Sequence, residues 1–165
     1  MKKILIVGGV AGGATAAARL RRLSEEDEII LFERDEYISF ANCGLPYYIG
    51  DVIKDRSKLL VQTVAGMSKR FNLDIRNFSE VVSIDRAGST VEVKNTKTGE
   101  TYTETFDHLI LSPGAKPIAP PIPGLAEADS IFTLRNVADT DKIKAEVTER
   151  SPKRAVVVGG GFIGI

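Results

Sequence analysis

The sequence contains only one cysteine, Cys43, and one histidine, His108. A lone cysteine excludes an intramolecular disulfide framework and a four-thiolate metal site. The single histidine would provide only one further metal ligand. We therefore expect no metal site. Any redox chemistry has to use the Cys43 thiol together with a partner from outside the chain.

Net charge and long apolar runs are also absent. The 22 basic residues are balanced by 22 acidic ones, so the charge gives no sign of a nucleic-acid partner. The apolar run after Met1 is too short to span a membrane and has no signal-peptide cleavage site behind it. Because 43% of the residues are hydrophobic, the chain can bury a core, and we expect a soluble, cytoplasmic protein.

The N-terminal region has the pattern of a strand, a turn, a helix and a second strand. A β-type run at 4–7 leads into GGVAGGATAAARLRRL, whose alanines, leucines and arginines favour a helix. A second β-type run at 29–32 ends on Glu33. This spacing is typical of a βαβ unit, and an acid at that strand end can accept hydrogen bonds from the ribose hydroxyls of a dinucleotide.

The glycines between this strand and the helix form a loop similar to a dinucleotide fingerprint. Gly8 and Gly13 match the first and third glycines of GxGxxG, which provide a tight turn and close helix packing. Val10 stands where a second glycine would let the backbone approach a diphosphate, although Gly9 and Gly12 keep the loop small. With the flanking strands and the acid, the loop predicts dinucleotide binding rather than a turn that only packs.

Further along, the pattern predicts a helix, a small antiparallel meander and one more strand. The helix is expected at 57–71, where apolar residues recur at helical spacing. The meander strands are expected at 81–85, 90–94 and 101–106, separated by the turns AGS and TKTGE. A run at 109–111 then enters SPGAKP, in which proline and glycine end the strand.

The last part of the chain combines a stiff connector, a helix and a second fingerprint. PIAPPIPG is rich in proline, and 136–150 has a helix-like pattern. A β-type run at 155–158 enters GGGFIG, where Gly159, Gly161 and Gly164 fit GxGxxG without exception. The chain therefore begins a second dinucleotide-binding motif.

These patterns predict the α/β fold class. Residues 1–115 would form a Rossmann-like domain with an antiparallel β-meander, and 116–152 a connector with a helix. Residues 153–165 would form the first strand and glycine loop of a second Rossmann-like domain.

Cys43 lies in the stretch ISFANCGLP, after a β-type run. Free cysteines are among the most buried residues, so one interpretation is a small apolar side chain in the core. Pro46, however, fits the first turn of a helix, which places Cys43 near a helix N-terminus. Backbone amides there favour a thiolate, and Gly44 would permit close approach of a substrate sulfur, so the other interpretation is a reactive thiol.

The sequence contains two dinucleotide fingerprints around a meander, together with GGVAGGATAAARLRRL and the single-cysteine stretch SFANCGLPYYIG. In these features it resembles the two-dinucleotide-fold flavoprotein reductases. Within them the sequence is similar to the coenzyme A disulfide reductase group, which includes related NADH oxidases and coenzyme A persulfide reductases. The resemblance implies that the first fold binds FAD and that the second binds NAD(P)H, which reduces the flavin. It also implies a full-length homodimer that reduces coenzyme A disulfide or persulfide through Cys43, with coenzyme A as substrate or mixed-disulfide partner.

The same resemblance assigns the site residues. The FAD site would comprise Gly8, Gly9, Val10, Ala11, Gly12, Gly13, Glu33, Arg34, Asn42, Val81, Ser112 and Gly114. The NAD(P)H site would begin with Gly159, Gly161 and Gly164. Coenzyme A would contact Thr15, Arg19, Arg22, Ser39 and Asn42, with Lys69 or Arg70 as candidates for a further basic contact.

One feature favours thiol chemistry over peroxide reduction. The peroxide-reducing relatives carry a histidine in the first glycine loop, where this sequence has VAGG. His108 instead follows an acid at the start of a β-type run, where we expect a structural imidazole. Arg19 and Arg22 are one helical step apart and could hold the phosphates of coenzyme A, or they could simply face solvent.

Alternatives remain at this point. The protein could be an NADH oxidase of the same group, or an electron-transfer reductase that does not need Cys43. Because nothing follows Ile165 in the sequence, the chain as given could also be a flavin-binding fragment without turnover. The sequence does not decide between NADH and NADPH, nor whether Cys43 rests as a thiol, a mixed disulfide or a sulfenic acid.

Overall fold

The computed structural model describes residues 1–125 and 127–161, which form two compact units. The first unit contains Met1–Asn42 and Asp55–Lys116, and the second contains Cys43–Lys54 with the described residues from Pro117 onward. The domain bounds expected from the sequence stay predictions.

Within the described residues the chain forms seven strands and four α-helices. The strands are β1 (Lys3–Val7), β2 (Glu28–Phe32), β3 (Asp74–Arg76), β4 (Ser79–Asp85), β5 (Thr90–Asn95), β6 (Thr101–Thr105) and β7 (His108–Leu111). The helices are α1 (Ala11–Leu23), α2 (Leu45–Ile49), α3 (Val64–Phe71) and α4 (Val137–Arg150), with 3₁₀ turns at Asn42–Gly44 and Arg56–Leu59. None of the described helices combines the length and the apolar character needed to cross a membrane.

Four strands form a parallel sheet in the order β3, β2, β1, β7. Ile6 of β1 is in register with Leu31 of β2 and with Ile110 of β7. Because the strands are parallel, their carboxyl ends lie at the same edge of the sheet, where ligands of such folds bind. The loop after β1, the acid after β2 and the loop after β7 therefore meet at one edge.

The two faces of this sheet are covered by different layers, which explains why β1 and β2 are apolar without alternation. On the helical face, the buried cluster comprises Ile6, Ala14, Ala17, Ile29, Leu31, Ile38, Met67, Leu73 and Ile75. On the other face, Leu5, Ile30 and Phe32 pack against Val91 and Val93 of β5. The α/β fold class with a Rossmann-like first domain is confirmed.

The second sheet is the expected meander, in the antiparallel order β4, β5, β6. Its strand bounds agree with the sequence patterns to within two residues at each end. The register of β4 on β5 shifts between Val81 and Ser83, which marks a bulge. β7, predicted at 109–111, begins one residue earlier at His108.

Charged side chains join the parallel sheet to the meander. Glu104 of β6 accepts hydrogen bonds from Lys3 of β1 and from Arg76 of β3, the latter at 2.6 Å to the guanidinium. Burial alone would raise the pKa of the Glu104 carboxyl, but these hydrogen bonds from two cations outweigh it, so its pKa lies below the ordinary value. The ionised form of Glu104 therefore stabilises the contact between the sheets.

The helix predicted at 57–71 is wrong in its first half. The Asp55 side chain accepts a hydrogen bond from the Ser57 N–H and starts only a 3₁₀ turn, and Leu60 then forms an isolated β-bridge with Phe40. The α-helix begins after Thr63, whose hydroxyl accepts a hydrogen bond from the Gly66 N–H at 3.1 Å. Two capping residues in succession divide the segment into two elements.

The second unit confirms one predicted helix and corrects one predicted strand. α4 follows Asn136, whose side chain accepts a hydrogen bond from the Asp139 N–H at 2.9 Å, as expected of an N-cap. The run at 155–158 forms no strand, and its three valines are exposed. A strand needs a neighbour for its backbone hydrogen bonds, and no described residues pair with this run.

Candidate functional site

The loop after β1 can only be built with glycine at its first position. Gly8 has a φ of +96°, and its N–H donates to the Phe32 carbonyl at 2.8 Å. A Cβ on Gly8 would lie 2.0 Å from the carbonyl oxygen of Ser112. Ser112 is itself tied to β1, because its N–H donates to the Val7 carbonyl at 2.8 Å. The structure thus brings together the loops after β1 and β7.

The start of α1 closes on the same loop. A Cβ on Gly13 would lie 1.7 Å from the Gly8 carbonyl oxygen, so the helix and the loop approach as closely as two backbones can. A Cβ on Gly12 would lie 3.1 Å from the Ser112 hydroxyl. Val10 is the N-cap residue and provides no side-chain hydrogen bond to the first turn, whose Ala11 and Gly12 are exposed. In the described part of the chain, the first turn of α1 thus lacks a side-chain cap from its N-cap residue, which is the arrangement that anion sites at helix N-termini use.

Glu33 supports this loop from β2. One carboxylate oxygen accepts the Gly9 N–H at 2.8 Å, and the other accepts the Asp35 N–H at 3.0 Å. Only 7% of Glu33 is exposed. Each carboxylate oxygen can accept a second hydrogen bond, so Glu33 can hold the loop and still accept from a ligand hydroxyl.

The remaining residues assigned to FAD lie in four different parts of the chain. Arg34 is exposed and ion-paired with Glu80 at 3.9 Å. Val81 lies in β4 and packs on the meander-side core. Gly114 has a φ of +70° two residues after Ser112. Asn42 begins the 3₁₀ turn that contains Cys43.

Cys43 is exposed, so its interpretation as a buried apolar side chain is wrong. It lies in the turn Asn42–Gly44 directly before α2, and Pro46 stands in the first turn of that helix, as its sequence position predicts. The buried anchor of this segment is Leu45, which is 2% exposed. The thiol is thus accessible while the chain just after it is fixed in the core.

Ser39 connects the cysteine stretch to the glycine loop. Its backbone has a φ of +44°, and its N–H donates to the Gly9 carbonyl at 3.0 Å. Its own carbonyl accepts the N–H groups of Val61 and Gln62. The expected substrate residue Ser39 therefore borders the expected cofactor loop.

Thr15, Arg19 and Arg22 share one exposed face of α1. The Arg22 guanidinium lies 5.7 Å from the centre of the Phe71 ring, and the Arg70 guanidinium lies 5.2 Å from the same ring. Lys69, the other candidate, is exposed. Between the two basic candidates at the end of α3, the geometry favours Arg70 as a neighbour of Arg22.

A third arginine of α1 has a structural role that sequence reasoning missed. The Arg21 guanidinium donates to the carbonyls of Phe71 and Asn72, each at 2.9 Å, and to those of Ser24 and Glu25. It therefore ties the C-terminal end of α1 to that of α3. No sequence signal separates Arg21 from its neighbours, because the difference lies in contacts with residues 50 positions away.

His108 is exposed at the start of β7. It lies far from the glycine loop in sequence and at the edge of the parallel sheet opposite to the carboxyl ends of the strands. Of the second fingerprint, Gly159 has a φ of +111°, and no atom of the described residues lies within 4 Å of a Cβ added to Gly159 or Gly161. Gly164 lies outside the described residues.

In the part of the chain that the structure describes, no cluster of side chains could hold a metal ion.

Comparison with known proteins gives a consistent result. A family model described as pyridine nucleotide-disulphide oxidoreductase matches residues 2–165. A coenzyme A disulfide reductase of Staphylococcus epidermidis is 46% identical over 165 residues, which are 100% of this chain and 37% of that protein. The chain thus spans little more than a third of the length of this curated relative.

Two solved structures extend the similarity to three dimensions. The reduced form of a Bacillus anthracis protein called CoADR-RHD has a TM-score of 0.97 and 69% identity, covering 99% of this chain and 29% of its own. An NAD-dependent persulfide reductase from A. fulgidus has a TM-score of 0.90 and 34% identity, covering 98% of this chain and 30% of its own.

Proposed function

Because this chain belongs to the pyridine nucleotide-disulphide oxidoreductase family, we propose that it is the FAD-binding, thiol-bearing portion of an NAD(P)H-dependent reductase of coenzyme A disulfide or persulfide. The observation that carries the proposal is the exposure of Cys43, the one thiol of the chain, in the turn directly before α2 and two residues before the buried Leu45. The activity is that of a longer protein that contains this chain, here called the extended protein.

The residues at the edge of the parallel sheet fit FAD. The uncapped first turn of α1 would bind the pyrophosphate, and the spare acceptor positions of Glu33 would bind the adenosine ribose. The glycine loop that would hold the diphosphate is kept tight by Gly8 and Gly13, where a Cβ would collide with the carbonyl oxygens of Ser112 and Gly8. When bound, FAD supplies the two-electron chemistry that links NAD(P)H to a disulfide.

Cys43 would perform the thiol chemistry. Its thiolate attacks one sulfur of coenzyme A disulfide, the S–S bond breaks, and one coenzyme A leaves as a thiolate while the other stays bonded to Cys43. Two electrons from NAD(P)H then cleave this mixed disulfide, which releases the second coenzyme A and returns the Cys43 thiolate. Two protons complete the two product thiols.

The exposed face of α1 would recognise the substrate. Arg19 and Arg22 would hold the nucleotide phosphates of coenzyme A, and Arg70 would add positive charge across the Phe71 ring. Thr15, Ser39 and Asn42 would provide polar contacts. The absence of a histidine in the glycine loop supports thiol chemistry rather than peroxide reduction.

The proposal includes further properties of the extended protein. It would act as a cytoplasmic homodimer, without a nucleic-acid or membrane partner. Residues 1–115 would be its FAD-binding domain and 116–152 a connector. Gly159, Gly161 and Gly164 in 153–165 would begin its NAD(P)H site.

The proposal is tested by the products of NAD(P)H oxidation. The extended protein is mixed with NAD(P)H and coenzyme A disulfide without oxygen, and free thiol is titrated. We expect two thiols for each NAD(P)H consumed. NAD(P)H consumption that requires oxygen and releases no thiol would instead identify an oxidase.

A further inference from the structure

Lys144 of α4 binds the C-terminal end of α2, the short helix that follows Cys43. Its ammonium donates to the Ile49 carbonyl at 3.2 Å and to the Asp51 carboxylate at 2.6 Å. It also lies 5.7 Å from the centre of the Tyr48 ring. The Lys144 side chain is only 19% exposed, whereas that of Asp51 is 75% exposed. This lysine is therefore a largely covered contact and not a solvated charge.

The carbonyls at the end of α2 show why the contact matters. Pro46 accepts the Gly50 N–H at 3.0 Å, and Tyr47 accepts the N–H groups of Val52 and Ile53 at 2.9 and 3.0 Å. Tyr48 accepts the Asp51 N–H at 3.3 Å. The next carbonyl, that of Ile49, accepts the side chain of Lys144. Lys144 thus completes the cap of α2 from another part of the chain.

A helix of five residues cannot hold its own position, because isolated helices this short are not stable in water. α2 is fixed at its start by Leu45, which is 2% exposed, and at its end by Lys144. Cys43 lies two residues before Leu45. The turn that carries the thiol thus joins α2 at the end held by Leu45, and Lys144 holds the other end.

We propose that Lys144 is a positioning residue for Cys43, acting through α2. This inference rests on the proposed function, since it assigns Lys144 a part in the thiol step. Reaction between two sulfurs requires accurate placement, and an error of about 1 Å can reduce a rate by up to a hundredfold. Lys144 acts from the opposite end of α2 to Cys43, so its loss should lower turnover more than substrate binding.

The test compares three variants of the extended protein. Lys144→Met removes the charge and keeps the alkyl chain, Lys144→Arg keeps the charge and the donors, and Lys142→Met changes an exposed lysine of the same helix. For coenzyme A disulfide we expect Lys144→Met to lower kcat by about tenfold with KM within about threefold of the parent. Lys144→Arg should recover most of the loss, and Lys142→Met should behave like the parent.

Two further measurements keep the result decisive. Reduction of bound FAD by NAD(P)H, followed by absorbance, should be unchanged in Lys144→Met, because only the thiol step depends on α2. If that variant does not fold, Asp51→Asn removes the ion pair at an exposed position and should still lower kcat by about threefold. An unchanged kcat in whichever variant folds, or an equal loss in Lys142→Met, would overturn the role of Lys144. Failure of the proposed function is recognised separately, since parent protein would then release no thiol from coenzyme A disulfide.

Discussion

The backbone N–H of Gly9 donates to the carboxylate of Glu33 at 2.8 Å, so the glycine loop after β1 is held by an acid at the end of β2. The second carboxylate oxygen accepts the Asp35 N–H at 3.0 Å. Glu33 therefore has two tasks in the proposed site, because it fixes the loop and leaves acceptor positions for a ribose.

Replacing Glu33 with glutamine should weaken FAD binding without unfolding the protein. An amide has only one oxygen, so one of the two N–H groups would face another donor, and an unsatisfied buried group costs about 1–3 kcal/mol. We expect the FAD dissociation constant of the extended protein to rise by about tenfold or more. Flavin fluorescence measures this constant, and Glu36→Gln, at an exposed position, is the control. An FAD dissociation constant of Glu33→Gln equal to that of the parent would show that Glu33 does not contribute to FAD binding.

The ion contacts of Glu104 predict a specific loss of stability in acid. Because its pKa is lower in the folded protein than the ordinary value of about 4.3, its contribution is fully present above that value and is lost as pH falls through the folded pKa. The free energy of unfolding of the parent should therefore exceed that of Glu104→Gln at pH 7, and the difference should shrink below about pH 4.5. Denaturant titrations of both proteins, repeated from pH 7 down to below about pH 4.5, measure this difference in the free energy of unfolding.

The control for this experiment is Glu26→Gln, at an exposed position. Its difference from the parent should be small at every pH. A Glu104→Gln difference that stays constant down to acid conditions would show that the carboxylate charge does not stabilise the contact between the sheets.

Arg19 and Arg22 should contribute to the binding of coenzyme A and not to thiol chemistry in general. In the extended protein, replacing both with alanine should raise KM for coenzyme A disulfide by roughly one to three powers of ten, at about 1.4 kcal/mol for each factor of ten. A small disulfide without phosphates should be reduced almost as before. Steady-state kinetics with both substrates measure the difference.

Arg21→Ala is the matched control on the same helix. Because Arg21 binds the carbonyls of Phe71 and Asn72, its loss should lower the melting temperature and affect both substrates alike. If replacing both Arg19 and Arg22 with alanine also impairs the reduction of both disulfides equally, these arginines stabilise the fold or help to bind the flavin. An unchanged KM for coenzyme A disulfide would place them on a solvated face.

The parts of the fold that local pattern determines could be predicted from the sequence. The glycine spacing, the apolar strands and Glu33 specify the first βαβ unit, and Pro46 places Cys43 before a helix. The division of 57–71 was also within reach, because Thr63 is a good N-cap directly before the true helix. β3 was missed because it has three residues, of which only Ile75 is apolar.

Contacts between distant parts of the chain could not be read in the same way. The tie from Arg21 to the end of α3 and the tie from Lys144 to the end of α2 depend on residues 50 or more positions away. In the sequence both look like ordinary charges on a helix. The run at 155–158 shows the converse, since a strong β pattern forms no strand where no described residues pair with it.

The most direct test of the account is the replacement of Cys43 with serine in the extended protein. Serine keeps the size of the side chain and removes the sulfur nucleophile. We predict that thiol release from coenzyme A disulfide falls by at least about a thousandfold, while FAD stays bound and is still reduced by NAD(P)H. Coenzyme A disulfide reduction at the parent rate in Cys43→Ser would contradict the account.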